Sequence, residues 1–466
     1  MSRLMRLPRT RTRTRTRSRR LAAAATAVAT ASALLLSGCA AGSPSEPKNT
    51  VSYWLWDSNQ LPAYEKCAAG FEKENPGLTI TITQLGWNDY WTKLTAGFIA
   101  GTQPDVFTDH ISKFAQFVDL GVLQPLDELD ATKGIDDSIY QPGLAGSWMG
   151  PDGHRYGTPK DWDTISVFYN KKVTTAAGVS DAQLNDLSWN PTDGGSFEKT
   201  LAHLTIDKNG VRGDQPGFDK NHVATYGLAT NDAGGFDGQT QWSSFTGSTG
   251  WNYTDKNPWG THYNYDDKRF QDTISWYFGL AKKGYLAPFT DFSASNGPEV
   301  QLGSGKAALS MNGSWMISTY AKLKGVDLGI ALTPTGPTGK RASMLNGLAD
   351  SITKNAANKP GAAKWVAYLA SPACQNVVGQ QGIVFPAAKS GTLNAIAAYK
   401  ARGIDVTPFT KQVADKTTFS FPITNYAADV AALMVPAMQN VYANGAPVST
   451  LTTTNKQIDQ LFQQGG

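Results

Sequence analysis

The sequence predicts an α/β fold with largely parallel sheet, in a chain long enough for two domains. Three observations carry this. From residue 50 to residue 108, apolar runs alternate as strand, helix, strand, helix, strand, the order of a parallel sheet covered by helices. The chain has 466 residues, beyond the size at which a single core usually stops growing. Hydrophobic residues make up 41% and charged residues 17%, which supports a packed core and excludes bulk disorder.

Thr50 to Trp56 alternates, with Val51, Tyr53 and Leu55 on one face and Ser52, Trp54 and Trp56 on the other, and reads as the first strand. Leu61 to Glu74 is amphipathic and closes on Asn75-Pro76-Gly77, so a helix is expected there. Leu78 to Leu85 is a β-branched strand, Asp89 to Ala100 a helix stopped at Gly101, and Pro104 to Thr108 a short strand. Tyr156 to Lys171 is a strand region in which Ile165, Val167 and Tyr169 alternate. Asp186 to Gly195 reads as loop, Phe197 to Ile206 as helix and Thr225 to Thr230 as strand. Trp242 to Tyr265, rich in Gly, Trp, Asn and Asp, reads as an extended surface segment. Asp267 to Lys283 is a helix. Gly303 to Met311 leads into a strand, and a helix begins near Ser314. Strands are expected at Asp327 to Leu332 and Ala349 to Thr353, with turns from Thr333 to Lys340. Ala362 to Ala370 is a helix stopped by Ser371-Pro372, and Ala427 to Asn444 and Ser449 to Gln463 are the last two helices.

The first 42 residues read as processing rather than fold. Arg3 to Arg20 form a basic region, and Leu21 to Leu36 an apolar run of sixteen residues, short for a span that needs about 20. Leu36-Ser37-Gly38-Cys39 resembles the lipobox of bacterial lipoproteins, in which the Cys is acylated and becomes the mature N-terminus. Arg19-Arg20 leaves twin-arginine export open beside the general route. Ala40 to Thr50 is polar and rich in small residues, a flexible tether. Residues 1–38 hold nine Arg; without them 33 basic residues face 38 acidic ones, a formal charge of −5. The basic balance therefore belongs to the export signal, and no nucleic-acid partner is expected. Cys67 and Cys374 remain, in what would be an oxidising compartment. They form a disulfide if their two helices pack together, and are buried thiols otherwise.

Several phrases point to one family. They are Val51–Asp57 (VSYWLWD), Phe71–Ile82 (FEKENPGLTITI), Gly101–Asp109 (GTQPDVFTD), Tyr156–Lys171 (YGTPKDWDTISVFYNK), Gly305–Trp315 (GKAALSMNGSW) and Asn346–Lys354 (NGLADSITK). In this order, behind the lipobox, the chain resembles the sugar-binding proteins of bacterial ABC importers, the broad family that includes maltose-binding protein. The resemblance covers nearly all of residues 50–466. It implies a periplasmic-binding-protein-like fold of two α/β lobes, each a mostly parallel sheet flanked by helices and joined by crossing hinge segments. The implied parts are a signal peptide at 1–38, a lipidated tether at 39–49, lobe 1 at 50–161 and 352–410, and lobe 2 at 164–350 and 413–466. The implied protein is a monomer that carries a carbohydrate to ABC transporter permease subunits. It would be held at the outer face of the cell membrane through Cys39 alone, with no cofactor and no enzymatic role.

A sugar offers C–H faces to aromatic rings and hydroxyls to carboxylates, amides and His. Trp56 and Asp57 sit at the C-terminal end of the first strand, where open parallel sheets place ligands. Trp87 follows the second strand, and Asp109 and His110 the third. Asp161, Trp162 and Asp163 lie at the expected crossing, and Trp242 and Trp251 in the long aromatic segment. Trp315 follows Asn312-Gly313-Ser314, Asn346 and Gly347 precede a strand, and Tyr426 follows Phe421-Pro422. The resemblance gives Trp315 a position where an aromatic stacks on sugar, and Asp163 an acidic position beside the hinge. Asp109 falls where maltose-binding protein has an aromatic, so the implied pocket differs in detail.

Two other functions compete. An exported glycoside hydrolase needs two carboxylates at roughly 5–10 Å, and Asp161 and Asp163 on one strand come nearest to that. A binding protein for a polyamine, glycerol phosphate or metal is the second; Asp57, Asp109, Asp161 and Asp163 would suit a polyamine. The five His are scattered without metal-ligand spacing. Gly305-Lys306 and Gly339-Lys340 lack the flanking residues of a phosphate loop, and no Ser sits in a Gly-x-Ser-x-Gly elbow.

Overall fold

A computed structural model of the chain describes residues 49–232, 235–293 and 295–464. The export signal and Cys39 lie outside the described residues. The fold starts as the alternation predicts. β1 (Thr50–Leu55) and β2 (Thr79–Gln84) pair in parallel across α1 (Leu61–Glu74), and α2 (Trp87–Ala100) leads to β3 (Val106–His110), also parallel to β1. Val51, Tyr53 and Leu55 are buried under α1, while Trp54 and Trp56 face the other way and stay partly open. Gly101 takes a φ of 70° and ends α2, a left-handed geometry that glycine adopts without steric cost. α3 (Ile111–Asp119) follows β3 directly.

The chain then changes sheets. β4 (Thr158–Asp163) lies in the first sheet and β5 (Ile165–Asn170) in the second, with Thr164 alone between them. Around the second sheet come α4 (Lys171–Ala176), α5 (Asp181–Asn185), α6 (Gly195–Leu204), β6 (Ile206–Asp207) and β7 (Val223–Leu228). They are followed by α7 (Ser243–Ser248), α8 (Lys268–Lys283), α9 (Pro298–Gly303), β8 (Ala307–Gly313), α10 (Ile317–Tyr320) and β9 (Leu328–Ala331). β10 (Ser343–Ile352) returns to the first sheet. α11 (Lys359–Ala370), α12 (Pro372–Gln381), β11 (Phe385–Pro386), α13 (Lys389–Ala401) and α14 (Thr407–Ala414) follow it. β12 (Thr418–Ser420) runs beside β10, and α15 (Ala427–Tyr442) and α16 (Thr450–Gln464) come last.

The first sheet has the order β11-β4-β10-β3-β1-β2 and the second β6-β7-β8-β5-β9. Both are mixed rather than mostly parallel. β10 runs antiparallel to β3 and β4, and β5 antiparallel to β8 and β9, while β7 and β8 are parallel. The reason is the return traffic: a strand that enters a sheet by crossing from the other need not keep the direction a helix crossover imposes. The Trp242–Tyr265 segment also departs from expectation. It contains α7 and buries Trp242, Phe245, Trp251, Tyr253, Tyr263 and Tyr265. Its rings supply more apolar area than its glycines and asparagines suggest.

Cys67 of α1 and Cys374 of α12 are joined in a disulfide, 307 residues apart in sequence. Beside them Lys160 is buried at 3.6 Å from Asp350, 3.1 Å from Thr108 Oγ1 and 3.4 Å from the Tyr64 ring centroid, with Tyr53 Oη also in contact. Burial pulls the Lys160 pKa down, and Asp350 opposes it.

Candidate functional site

The polar centre of the molecule lies where the two sheets meet. β10 pairs Asn346 with Asp163 of β4 and Leu348 with His110 of β3, so three side chains from three strands share one end of the first sheet. Asn346 Nδ2 donates to Asp163 Oδ2 at 2.9 Å and stands 3.1 Å from His110 Nε2. Gln239, from the loop before α7, donates to Asp163 Oδ1 at 3.1 Å and ties the second body to this row. His110 is also the N-cap of α3: Nδ1 accepts from Ser112 N at 3.1 Å and lies 2.8 Å from Ser112 Oγ. With its proton on Nδ1 the neutral ring donates to Ser112 Oγ and Nε2 accepts from Asn346 Nδ2; with the proton on Nε2, Nδ1 caps the helix but Nε2–H faces the amide donor. Burial, reinforced by the Lys113 charge, pushes the His110 pKa down to about 3.

Rings surround this row. Trp56 stands at 5.1 Å from Trp87, 5.3 Å from Trp91 and 6.1 Å from His110, and Phe421 reaches His110 from the far side at 6.3 Å. Trp87 lies 5.4 Å from His110 and is 44% exposed, an open aromatic face at the edge of a closed polar centre. Asp57 accepts from Asn59 N and Gln60 Nε2, and Asp161 lies beside Gln60. Asn346 and Gly347 line a small space with Leu144, Trp148 and Phe421, with room for about one water.

Burial disfavours the charged form of the two acids of β4. Burial raises Asp163 well above the carboxylate range, with Asp161 adding to it and the Asn346 and Gln239 amides opposing. Burial raises Asp161 to about 7, against the pull of Lys160. Several buried acceptors have no donor: Asn346 Oδ1, Asp161 Oδ2 and Gln60 Oε1. Buried acceptors without partners cost about 1–3 kcal/mol each, so the arrangement suits a ligand that brings hydroxyl or N–H groups.

The other residues singled out from sequence fall elsewhere. Trp162 stacks on Phe385 at 4.8 Å with Nε1 on Thr392 Oγ1, which places it in the first body's core, because it points to the sheet face opposite its neighbours Asp161 and Asp163. Trp251 packs on Phe270 at 4.8 Å with Nε1 on the Asn264 carbonyl, and is core as well. Trp242 is fully buried against the same Phe270, though its Nε1 has no partner. Asp109 turns away from the row and accepts from His110 N. Trp315 is half-buried over Gly313, where no Cβ would fit, and Ser314 N donates to Thr164 O beside the crossing. Tyr426 packs on Phe462 at 5.5 Å. Gln60, Trp91, Gln239 and Phe421 join the site without having been picked out; lone Gln and Phe residues in loops carry no periodic signal.

Two α/β bodies exchanging strands, with rings and acids gathered where they meet, define a two-lobe binding fold. The family model described as "Bacterial extracellular solute-binding protein" matches residues 57–376, and the chain belongs to that family. A protein of Brucella abortus (strain 2308) described as a binding protein is 26% identical over 154 residues. That alignment takes in 32% of this chain and 36% of the relative, so the chain spans about a third of that curated relative's length. Among solved structures, the ABC substrate-binding protein Lmo0181 from Listeria monocytogenes, in complex with cycloalternan, superposes with a TM-score of 0.72 at 16% identity, covering 89% of this chain and 98% of that one. UgpB from Mycobacterium tuberculosis, in complex with glycerophosphocholine, gives 0.70 at 19%, with the same coverage of 89% and 98%. Among the described residues no helix is long and apolar enough to cross a membrane.

Proposed function

We propose that this protein binds a carbohydrate, a mono- or oligosaccharide, between its two lobes and delivers it to the permease subunits of an ABC transporter. The observation that carries this is the Asp163–Asn346–His110 row with Trp56 and Trp87 beside it. Rings would stack on sugar C–H faces, and the unpartnered acceptors would take hydroxyl protons. A phosphate-bearing solute fits poorly, because the lining is acidic and the buried Lys160 is committed to Asp350. A polyamine is the second reading, favoured by Asp57, Asp161 and Asp163. It needs ionised carboxylates, whereas burial disfavours the ionised form of Asp163 and both its oxygens already accept from amides.

In this reading the lobes exchange chain near residues 161–164, 343–352 and 410–418, and a sugar touching both shifts the population toward the closed form. The protein acts as a monomer without a cofactor and performs no reaction. It is held at the outer face of the cell membrane by lipid on Cys39. Labelled palmitate incorporated by the parent and not by Cys39→Ser checks the anchor. For the solute, the test is a thermal-shift screen of neutral oligosaccharides, spermidine and glycerol 3-phosphate, followed by calorimetry. Stabilisation by oligosaccharides alone supports the proposal; stabilisation by spermidine alone replaces it with the second reading.

A further inference from the structure

Two loops of the second body reach across to the first and hold it at points that use none of the polar row. Asn257 joins the loops together: its Nδ2 donates to Phe421 O at 2.7 Å and its Oδ1 accepts from Ile423 N at 3.0 Å. Trp259 N donates to Ile423 O at 2.7 Å, and Tyr263 Oη and Thr424 Oγ1 are 2.9 Å apart. The pair is anchored from behind by Tyr265 N on Asn455 Oδ1 of α16 at 3.0 Å. From this base Trp259 Nε1 donates to the Met149 carbonyl at 3.1 Å, and its ring lies 6.3 Å from that of Phe114 in α3. Tyr426 N donates to Asp119 Oδ2, at the end of the same α3, at 3.1 Å. Among the described residues three non-glycines have positive φ, and two of them are Trp259 at 63° and Tyr426 at 58°. Bulky residues are rarely held in that region, because their Cβ crowds the backbone there. The strain sits at the two residues that make the crossing contacts.

We infer that Trp259 and Tyr426 are positioning residues that clasp the second lobe onto α3 and Met149 of the first, setting solute affinity through the closed population rather than by touching the solute. The clasp contributes free energy only when the lobes are together, so it biases closure by its own differential contacts. The bond to Met149 is to backbone and the bond from Tyr426 is from backbone, so one side chain on each contact, Trp259 and Asp119, can be removed separately.

The inference rests on the two-lobe binding reading, yet its first readout needs no solute. Nitroxides are placed on the full-length exported protein through Lys93→Cys on α2 and Lys268→Cys on α8, both exposed. The distance between them is measured by pulsed electron spin resonance without solute. Trp259→Ala and Asp119→Ala are each expected to lengthen the distribution while circular dichroism melting stays cooperative. Calorimetry with an oligosaccharide from the thermal-shift screen is expected to show about a tenfold loss, equal in size across solutes. Distributions identical to the parent in both variants overturn the inference, as does a loss that differs among solutes, which would make Trp259 a contact. Failure of every oligosaccharide to bind would sink the carbohydrate reading alone and leave the distance result standing.

Discussion

Asn346 holds the centre of the site, since its amide contacts Asp163 and His110 together. Asn346→Ala removes the donor to Asp163 and an acceptor that has no protein partner, so solute binding is expected to weaken by about 2 kcal/mol or more by calorimetry, the scale of a hot-spot truncation. Asp161 gives a pH signature. Its pKa in the folded protein, raised to about 7 by burial, exceeds the ordinary 3.8, so the fold binds this proton more tightly than the unfolded chain. The contribution is full below about pH 4 and is lost as pH rises through 7. The melting temperature of Asp161→Asn is therefore expected to fall less than the parent's between those values. An equal fall would mean that the proton is not held there. At this scale the sequence was legible only in part. Strand ends singled out Trp56, His110 and Asn346, but Trp162, one residue from two site acids, points into the core. Alternation decides such cases, and the bulge that shifts register in β10 between Leu348 and Ala349 blurs it on β4.

Elements were read best where stop signals were unambiguous. Helix α1 has the expected bounds because Pro62 falls in its first turn and Asn75-Pro76-Gly77 closes it. Helices α3, α4, α5, α7, α9, α12, α13 and α14 were not foreseen. Pro372 was read as a stop for α11, and it is one; it is also the first residue of α12, where a missing N–H costs nothing. α3 begins on a histidine cap directly after β3, with no loop to announce it. The α1–α12 disulfide is the element-scale test. Cys67→Ser with Cys374→Ser frees a loop of 307 residues and is expected to cost about 2–5 kcal/mol, seen as a lower denaturation midpoint. A midpoint unchanged by the substitutions or by reductant would mean that packing against Trp365 and Tyr64 suffices alone.

For the whole molecule, the α/β class was readable from local pattern, and the two-lobe plan with its crossing at residues 161–164 from ordered phrases. The mixed pairing was not, because strand direction depends on which distant segment returns to which sheet. A binding protein whose lobes part to admit solute should contract when solute closes them. Small-angle scattering on the Trp259→Ala variant is expected to show a larger radius of gyration than the parent without solute, and the same radius at saturation. Radii that stay apart at saturation would point to a different closed state.

The placing of β10 has a consequence for how the protein comes into being. It lies between β3 and β4 at the middle of the first sheet, yet more than half of the chain separates it from β1. A nascent chain that has made β1 to β4 therefore lacks the strand that unites them, and both flanking edges stay open until residue 343 arrives. Such high contact order slows folding and exposes unpaired edges to other chains. Refolding from denaturant should be slow, and a product ending before residue 343 should aggregate rather than form half a binding protein.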